Sequence, residues 1–361
     1  MLEIFNKWYR RYLYEEESIL LLVLLTIAVV LLMTMGHILA PFLGALVFAY
    51  LAQGLAGRLQ SMGIPQGFAV WVSYLVFLGV FFGVILGLLP LAWRQLVSLA
   101  AETPRMLDQA QQFLGVLPER YPDVFSGDQL SEFMAMARAE FAGMGQRVVA
   151  GTLAWIPGLL TLLVYMILIP LLVFFFMKDR DKILSWLSGF LPAERPLLNR
   201  IWREMNDQVA NYARGKALEV LIVGGVSYAA FTFFGLGYAA LLALLVGLSV
   251  IIPYIGAALV TIPVVLVAFF QWGISGEFYW VVAVYLIIQA LDGNVLVPLL
   301  FSEAVAIHPV AIILAVLFFG GIWGLWGVFF AIPLATLIKA IINAWPSSPQ
   351  PVAEAEPDTS M

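Results

Sequence analysis

The sequence predicts an all-α, polytopic helical membrane protein with about six full spans, two broken or re-entrant helical hairpins and a helical extracytoplasmic insert. Three observations predict it. Of the 361 residues, 63% are hydrophobic and only 11% are charged, against about a quarter charged in soluble domains, and the mean hydropathy is +0.97. Apolar runs recur at close to the length, about 20 residues, that a helix needs to cross a hydrocarbon core of about 30 Å. Two of the runs, 238–271 and 307–342, are interrupted by Gly and Pro near their middle.

The elements follow in order. Residues 1–17 are mostly polar, and no small-x-small cleavage site follows the apolar run from Ser18 to Met35, so this run reads as a retained anchor and not as a secretory signal. Runs 18–35, 38–56 and 67–91 make a first unit of three spans. Residues 92–150 form a polar insert whose Phe133, Met136, Ala137, Phe141 and Met144 recur at helical spacing, with a turn at Tyr121-Pro122-Asp123 and Ser126-Gly127; a helical pair packed on the membrane domain is expected there. A span over 151–177 leads to a basic amphipathic loop, 178–216. A C-terminal core, 217–345, holds spans near 217–236 and 278–300 and the two broken runs. The tail, 346–361, is rich in Pro, Ser and Glu and is expected to be disordered.

Orientation follows from lysine and arginine placement. Lys7, Arg10 and Arg11 precede the first span, Arg58 follows the second, and Lys178, Arg180, Lys182, Arg195, Arg200, Arg203, Arg214 and Lys216 crowd the loop. If each clear span crosses once, all three sites share the cytoplasmic face, with both termini on that side.

The broken runs carry the most information about function. Each arm holds roughly 14 to 17 residues and reaches about 20 to 25 Å, short of a full crossing, so each run is a re-entrant hairpin or two tight spans. The first breaks at Pro253, Tyr254 and Gly256 and ends "ALVTIP" at Pro263; the second breaks at Gly320, Gly321, Gly324 and Gly327 and ends "FFAIP" at Pro333. Irregular backbone at membrane depth is tolerated only when buried in protein or lining a cavity, and paired interruptions of this kind point to a transport site.

Polar groups cluster near these breaks. "QALDGNVLVPLLFSEAVAIHP" carries Gln289, Asp292, Asn294, Glu303 and His308 between apolar runs, while Gln208, Asn211 and Tyr212 approach the 217–236 span and Glu219 lies one turn inside it. If they faced lipid, such groups would each cost several kcal/mol. Asp292-Gly293-Asn294 ahead of Pro298 predicts that the helix unwinds there, freeing carbonyls for a cation or polar solute with Asp292 as a proton or cation carrier. The competing reading is an interfacial loop whose polar groups meet water. Gly79, Gly83 and Gly87 fall on one helix face as a glycine zipper, expected to pack against another helix or a second copy of the chain.

Composition also excludes. With no cysteine and only His37 and His308, neither a disulfide framework nor a Cys- or His-rich metal site is available. No basic run with interleaved aromatics suggests nucleic acid. No His-Glu-x-x-His, Gly-x-Ser-x-Gly, Walker A or dinucleotide fingerprint is present, so no enzyme and no cofactor is expected. Without a phosphate loop, transport would be gradient-driven or passive.

The stretches "NYARGKALEVLIVGGVSYAAF", "LGYAALLALLVGLSVIIPYIGAALVTIP" and the run from Gln289 to Ala340 resemble the autoinducer-2 exporter family of bacterial membrane proteins, in particular its PerM-like branch. The resemblance covers about Gln208 to Trp345 and rests on Gln208, Asn211, Tyr212, Arg214, Gly215, the first break, Gln289, Gly293, Asn294, Pro298, His308-Pro309 and the second break. It implies an inner-membrane permease, a homo-oligomer with a moving transport unit, and export of the quorum-sensing molecule autoinducer-2 or, in other branches, sodium/proton exchange. The family pattern has glutamate before the Gly-Asn pair; this chain has Asp292. The expected function is movement of a small polar solute or cation, with Asp292, Asn294, Gln289, Asn211, Glu219 and His308 along the pathway. A sodium/proton antiporter and a non-transporting scaffold are the alternatives.

Overall fold

A computed structural model describes residues 16–115, 132, 135–136, 155–253, 255–301 and 308–344. The expected N-terminal arm, the turn at 121–127, most of the insert, Tyr254, Glu303 and the C-terminal tail lie outside the described residues. All described elements are helical, and eight segments are long and apolar enough to cross a membrane. This is the form that the hydrocarbon dictates, because a helix satisfies its backbone groups within its own segment.

The helices are α1 (Glu16–Ser61), α2 (Gln66–Gly83), α3 (Leu89–Gly115), α4 (Trp155–Lys178), α5 (Arg180–Ser188), α6 (Pro196–Phe233), α7 (Ala239–Ser249), α8 (Ile255–Trp272), α9 (Gly276–Leu291), α10 (Val297–Phe301) and α11 (Pro309–Ala344). Wide π-helical turns, Val84–Leu88 and Asp292–Leu296, join α2 to α3 and α9 to α10. The chain divides into two compact units: 41–180 with 210–304, and 1–40 with 181–209 and 305–361.

In the larger unit, α7 and α8 form the first hairpin, which packs on α3, α6 and α9. Its core joins Val223 and Phe231 of α6, Leu242 and Val246 of α7, Val264 and Ala268 of α8, and Val281 and Tyr285 of α9. A second cluster sets small residues of α1, Ala45, Ala49, Ala52 and Ala56, against Val173 and Met177 of α4. Tyr74 of α2 donates to the carbonyl of Pro170 in α4 (3.2 Å), tying the two helices together.

The two broken runs are built alike. At the first, the Gly256 backbone lies against the Ser249 carbonyl; at the second, Gly327 lies against the Phe319 carbonyl, and a Cβ at either glycine would collide with that oxygen. Residues 319 and 327 would stand about 12 Å apart in a straight helix, so α11 is itself two arms. The reversal falls at Gly324 (φ 60°, ψ −138°), backbone open in practice only to glycine. The first hairpin's arms are unequal: α7, with 11 residues, reaches about 16 Å, well short of a crossing.

At three places the structure adds to the expectations. Runs 18–35 and 38–56, each long and apolar enough to cross a membrane, follow one another on a single helix of 46 residues, without a turn at Gly36. One glycine costs a helix only about 1 kcal/mol, too little to break it, and Gly36 has another use: it seats the indole of Trp323. Secondly, nothing lies within 4 Å of a Cβ built on Gly79, Gly83 or Gly87, so the glycine zipper has no helix against it among the described residues. The close crossing occurs at Gly224 and Gly247, where a Cβ on Gly247 would stand 3.0 Å from the Val220 carbonyl. Thirdly, 292–296 does not unwind; it widens into a π turn.

These contacts predict opposite responses to alanine. Gly256→Ala and Gly327→Ala should each lower stability by about 1–3 kcal/mol through overpacking against backbone, whereas the triple change Gly79→Ala, Gly83→Ala and Gly87→Ala should leave the monomer's melting temperature unchanged or raised. Thermal unfolding of purified protein, followed by size exclusion, checks both; equal losses in the two sets would refute the packing described.

Candidate functional site

The first hairpin is held by polar groups at both ends. At its base, the Gly237 N–H donates to Gln271 Oε1 (2.7 Å), Gln271 Nε2 donates to the Gly235 carbonyl (2.8 Å), and the Leu241 N–H in the first turn of α7 donates to Gln95 Oε1 of α3 (2.8 Å). Side-chain acceptors thus satisfy helix N-terminal donors that would otherwise be orphaned. Tyr238, which opens α7, adopts the left-handed conformation.

At its tip stands a buried cation. Lys216 and Glu219, on one face of α6, are 6% and 2% exposed, which places the pair inside the protein and not on its surface. Lys216 Nζ donates to Glu219 Oε2 (2.8 Å) and to the carbonyl of Val250 (2.7 Å), the residue that ends α7. It also lies 5.2 Å from the ring centroid of Phe301 in α10. A lysine at a helix C-terminus both donates to an orphan carbonyl and opposes the negative end of the helix dipole. Gly215 makes room for this arrangement, since a Cβ there would press into the Phe301 ring.

Asp292 completes the cluster from the π turn. It is half-buried, within electrostatic range of both Lys216 and Glu219, and its Oδ1 is enclosed without a hydrogen-bond partner. The π turn follows from the local sequence. Pro298 offers no N–H, the Val297 N–H reaches back five residues to the Asp292 carbonyl, and Asn294 Nδ2 donates to the carbonyl of Ala290 (2.8 Å). Such π turns recur at functional sites.

A polar relay extends from the cluster's helix toward the hairpin's second arm. Gln289 Nε2 donates to the Tyr285 hydroxyl (2.7 Å), which pairs with Thr261 Oγ1 (2.9 Å), and Thr261 donates to the Ala257 carbonyl (2.7 Å). Tyr285 is fully buried and Pro263 lies one half-turn beyond Thr261.

The expected pathway residues therefore separate. Glu219 and Asp292 come together, and Gln289 lies one turn from Asp292 on the same helix. Asn294 is exposed and bonded to its own helix. Asn211 is exposed, its Oδ1 accepting from Arg214 (2.9 Å). His308 belongs to the smaller unit, where its Nδ1 accepts from the Val310 N–H (3.3 Å) at the start of α11. It lines a mostly apolar cleft of about 610 Å³ between the arms of α11, with Phe318, Ala335, Ile338 and Lys339. Sequence reasoning missed Lys216, Tyr285 and Thr261 as site residues. The signal for Lys216 was its i, i+3 spacing to an acid in a helix about to become apolar. Among the described residues, no three His, Cys, Asp or Glu side chains gather as metal ligands.

Among the described residues, eight apolar helical segments, two hairpins and charged groups buried among helices define an integral membrane protein of the transporter class. A profile described as "AI-2E family transporter" matches residues 19–347, and the chain belongs to that family. It is 49% identical over 346 residues to "Putative permease PerM" of Escherichia coli (strain K12), covering 96% of this chain and 98% of that protein. It is 27% identical over 341 residues to "Putative transport protein YrrI" of Bacillus subtilis (strain 168), covering 90% and 94%.

Burial makes the Lys216–Glu219 pair sensitive to loss of one member. Lys216→Met and Glu219→Leu should each destabilise by about 3–5 kcal/mol, because the remaining charge is left uncompensated, and the double variant should lose less than either alone. A double-mutant cycle in thermal unfolding reads this; additive losses would mean that the two side chains do not stabilise each other.

Proposed function

We propose that the chain is a permease of the bacterial inner membrane that moves a small polar solute or a cation by a facilitated or gradient-driven route, through the site formed by the first hairpin and the Asp292 π turn. The observation that carries this reading is the enclosed, unpartnered Oδ1 of Asp292 beside the Lys216–Glu219 pair. A sealed acceptor of this kind costs free energy until a donor arrives. Gln289, Tyr285 and Thr261 continue the polar lining, with Asn294 at its outer edge. The short α7 supports a re-entrant first hairpin whose tip sits at membrane depth. The open face of Gly79, Gly83 and Gly87 supports a seam with a second copy.

Export of an autoinducer-2-like molecule fits a site that offers both a cation and carboxylates to a hydroxylated solute. Sodium/proton exchange is the second reading, favoured by charge: two carboxylates, Glu219 and Asp292, face one ammonium, Lys216. A substituted Asp292 separates both from a scaffold role. Asp292→Asn should abolish proteoliposome flux at unchanged expression, and the driving species is identified by whether sodium pulses or solute gradients give the lost signal.

The chain has no native cysteine, so single cysteines at Gln289, Asp292 and Asn294 can be labelled with an impermeant maleimide from either face. Labelling from both faces, shifting with ion or solute conditions, is the expected result. Labelling from one face, unchanged by any condition, would overturn the transport reading.

A further inference from the structure

We propose that Lys216 is the latch of the first hairpin and that Asp292 is its second carboxylate, so that handover of the ammonium from Glu219 to Asp292 releases the hairpin tip. Lys216 joins three elements at once: its own helix α6 through Glu219 (2.8 Å), the end of α7 through the Val250 carbonyl (2.7 Å), and α10 through the Phe301 ring (5.2 Å). An ammonium carries three donors on a flexible stem, so it can exchange one acceptor for another by side-chain rotation without moving α6. Asp292 presents an acceptor already enclosed and without a partner, within electrostatic range of that ammonium. Its position on a π turn supplies backbone slack on the receiving side.

The consequence for the hairpin is direct. In the observed state the Val250 carbonyl, an orphan at the end of α7, is satisfied by Lys216. Once the ammonium has turned to Asp292, that carbonyl loses its donor, and the tip from Val250 to Pro253 lowers its free energy by moving to water or another donor. The hairpin's base, bonded through Gln95 and Gln271, keeps its own partners. The motion is therefore a swing of the tip about a fixed base, governed by which carboxylate holds one lysine. Lys216 is a positioning residue in this scheme; it need not touch what is transported.

The inference takes the hairpin and π turn of the proposed permease as its setting, but its test measures exposure of the tip and not flux, so the two fail separately. Ile251→Cys in the full-length chain, purified in lipid nanodiscs, reports the tip through its rate of reaction with a maleimide. Lys216→Gln is expected to speed labelling about tenfold, as fits the loss of one charge-assisted hydrogen bond, and Lys216→Arg should restore the slow rate. Glu219→Gln should also speed labelling, because the ammonium passes to Asp292, whereas Asp292→Asn should leave it as slow as wild type or slower. The last two variants are near-isosteric and carry the test if Lys216→Gln is not monodisperse. Unchanged labelling in Lys216→Gln, or a shift in the same direction for Glu219→Gln and Asp292→Asn, would overturn the latch.

Discussion

A backbone carbonyl at membrane depth has no water to turn to, and leaving it without a donor costs several kcal/mol. Every helix that stops short of the interface creates such carbonyls at its end. Helix α7, about 16 Å long, stops inside the protein at Val250, and the Lys216 ammonium meets the debt there (2.7 Å). Once that lysine is buried, the rest of the site follows. It requires a carboxylate, which Glu219 provides one helical turn away (2.8 Å); it requires space, which Gly215 leaves; and it requires a low-polarity wall, which Phe301 gives.

The same problem is solved twice in the chain. In both hairpins a glycine at the start of the second arm, Gly256 or Gly327, lets the returning backbone press against a carbonyl near the end of the first, and a proline follows at Pro263 or Pro333. The turns themselves differ. The first uses Pro253 and a short irregular link, whereas the second reverses at Gly324 alone, with Trp323 stacked near Phe330 (6.0 Å, 20°). The first tip is tied to a buried charge pair; the second closes beside an apolar cleft. One construction thus serves two chemical environments, and the first holds the buried charge pair Lys216–Glu219.

Much of this was legible in sequence, for a physical reason: glycine and proline in apolar runs are expensive, so each marks a place where backbone geometry overrides propensity. That logic located both hairpins and the disturbance around Asp292. It mistook the kind of disturbance, because a π turn and an unwound turn draw on the same residues and only the Val297-to-Asp292 hydrogen bond separates them. It assigned Gly36 no partner and did not fix what Gly79, Gly83 and Gly87 pack against, since a small residue looks the same whether it seats a tryptophan, admits a helix or faces outward. Lys216 escaped for another reason. Lying at the end of a basic stretch, it reads as one more loop charge, but α6 runs unbroken from Pro196 to Phe233 and carries it inside.

Charge arithmetic ties the site's parts together. Two carboxylates and one ammonium leave an excess of one negative charge where Lys216 and Glu219 are buried and Asp292 is half-buried, and low-dielectric surroundings penalise an isolated carboxylate severely. Lys216 can neutralise Glu219 or Asp292 but not both, so whichever acid it leaves must find a proton, a cation or the hydroxyl of a solute. The observed geometry holds the debt at Asp292, whose Oδ1 is without a partner. Its side chain is one methylene shorter than glutamate, which keeps the acid close to the π turn and its reach small. On the proposed permease reading, a site so arranged takes a donor-bearing occupant for part of its cycle. That need is common to the cation and polar-solute readings, and under the proposed latch it couples the arrival of the occupant to the position of the lysine that holds the hairpin.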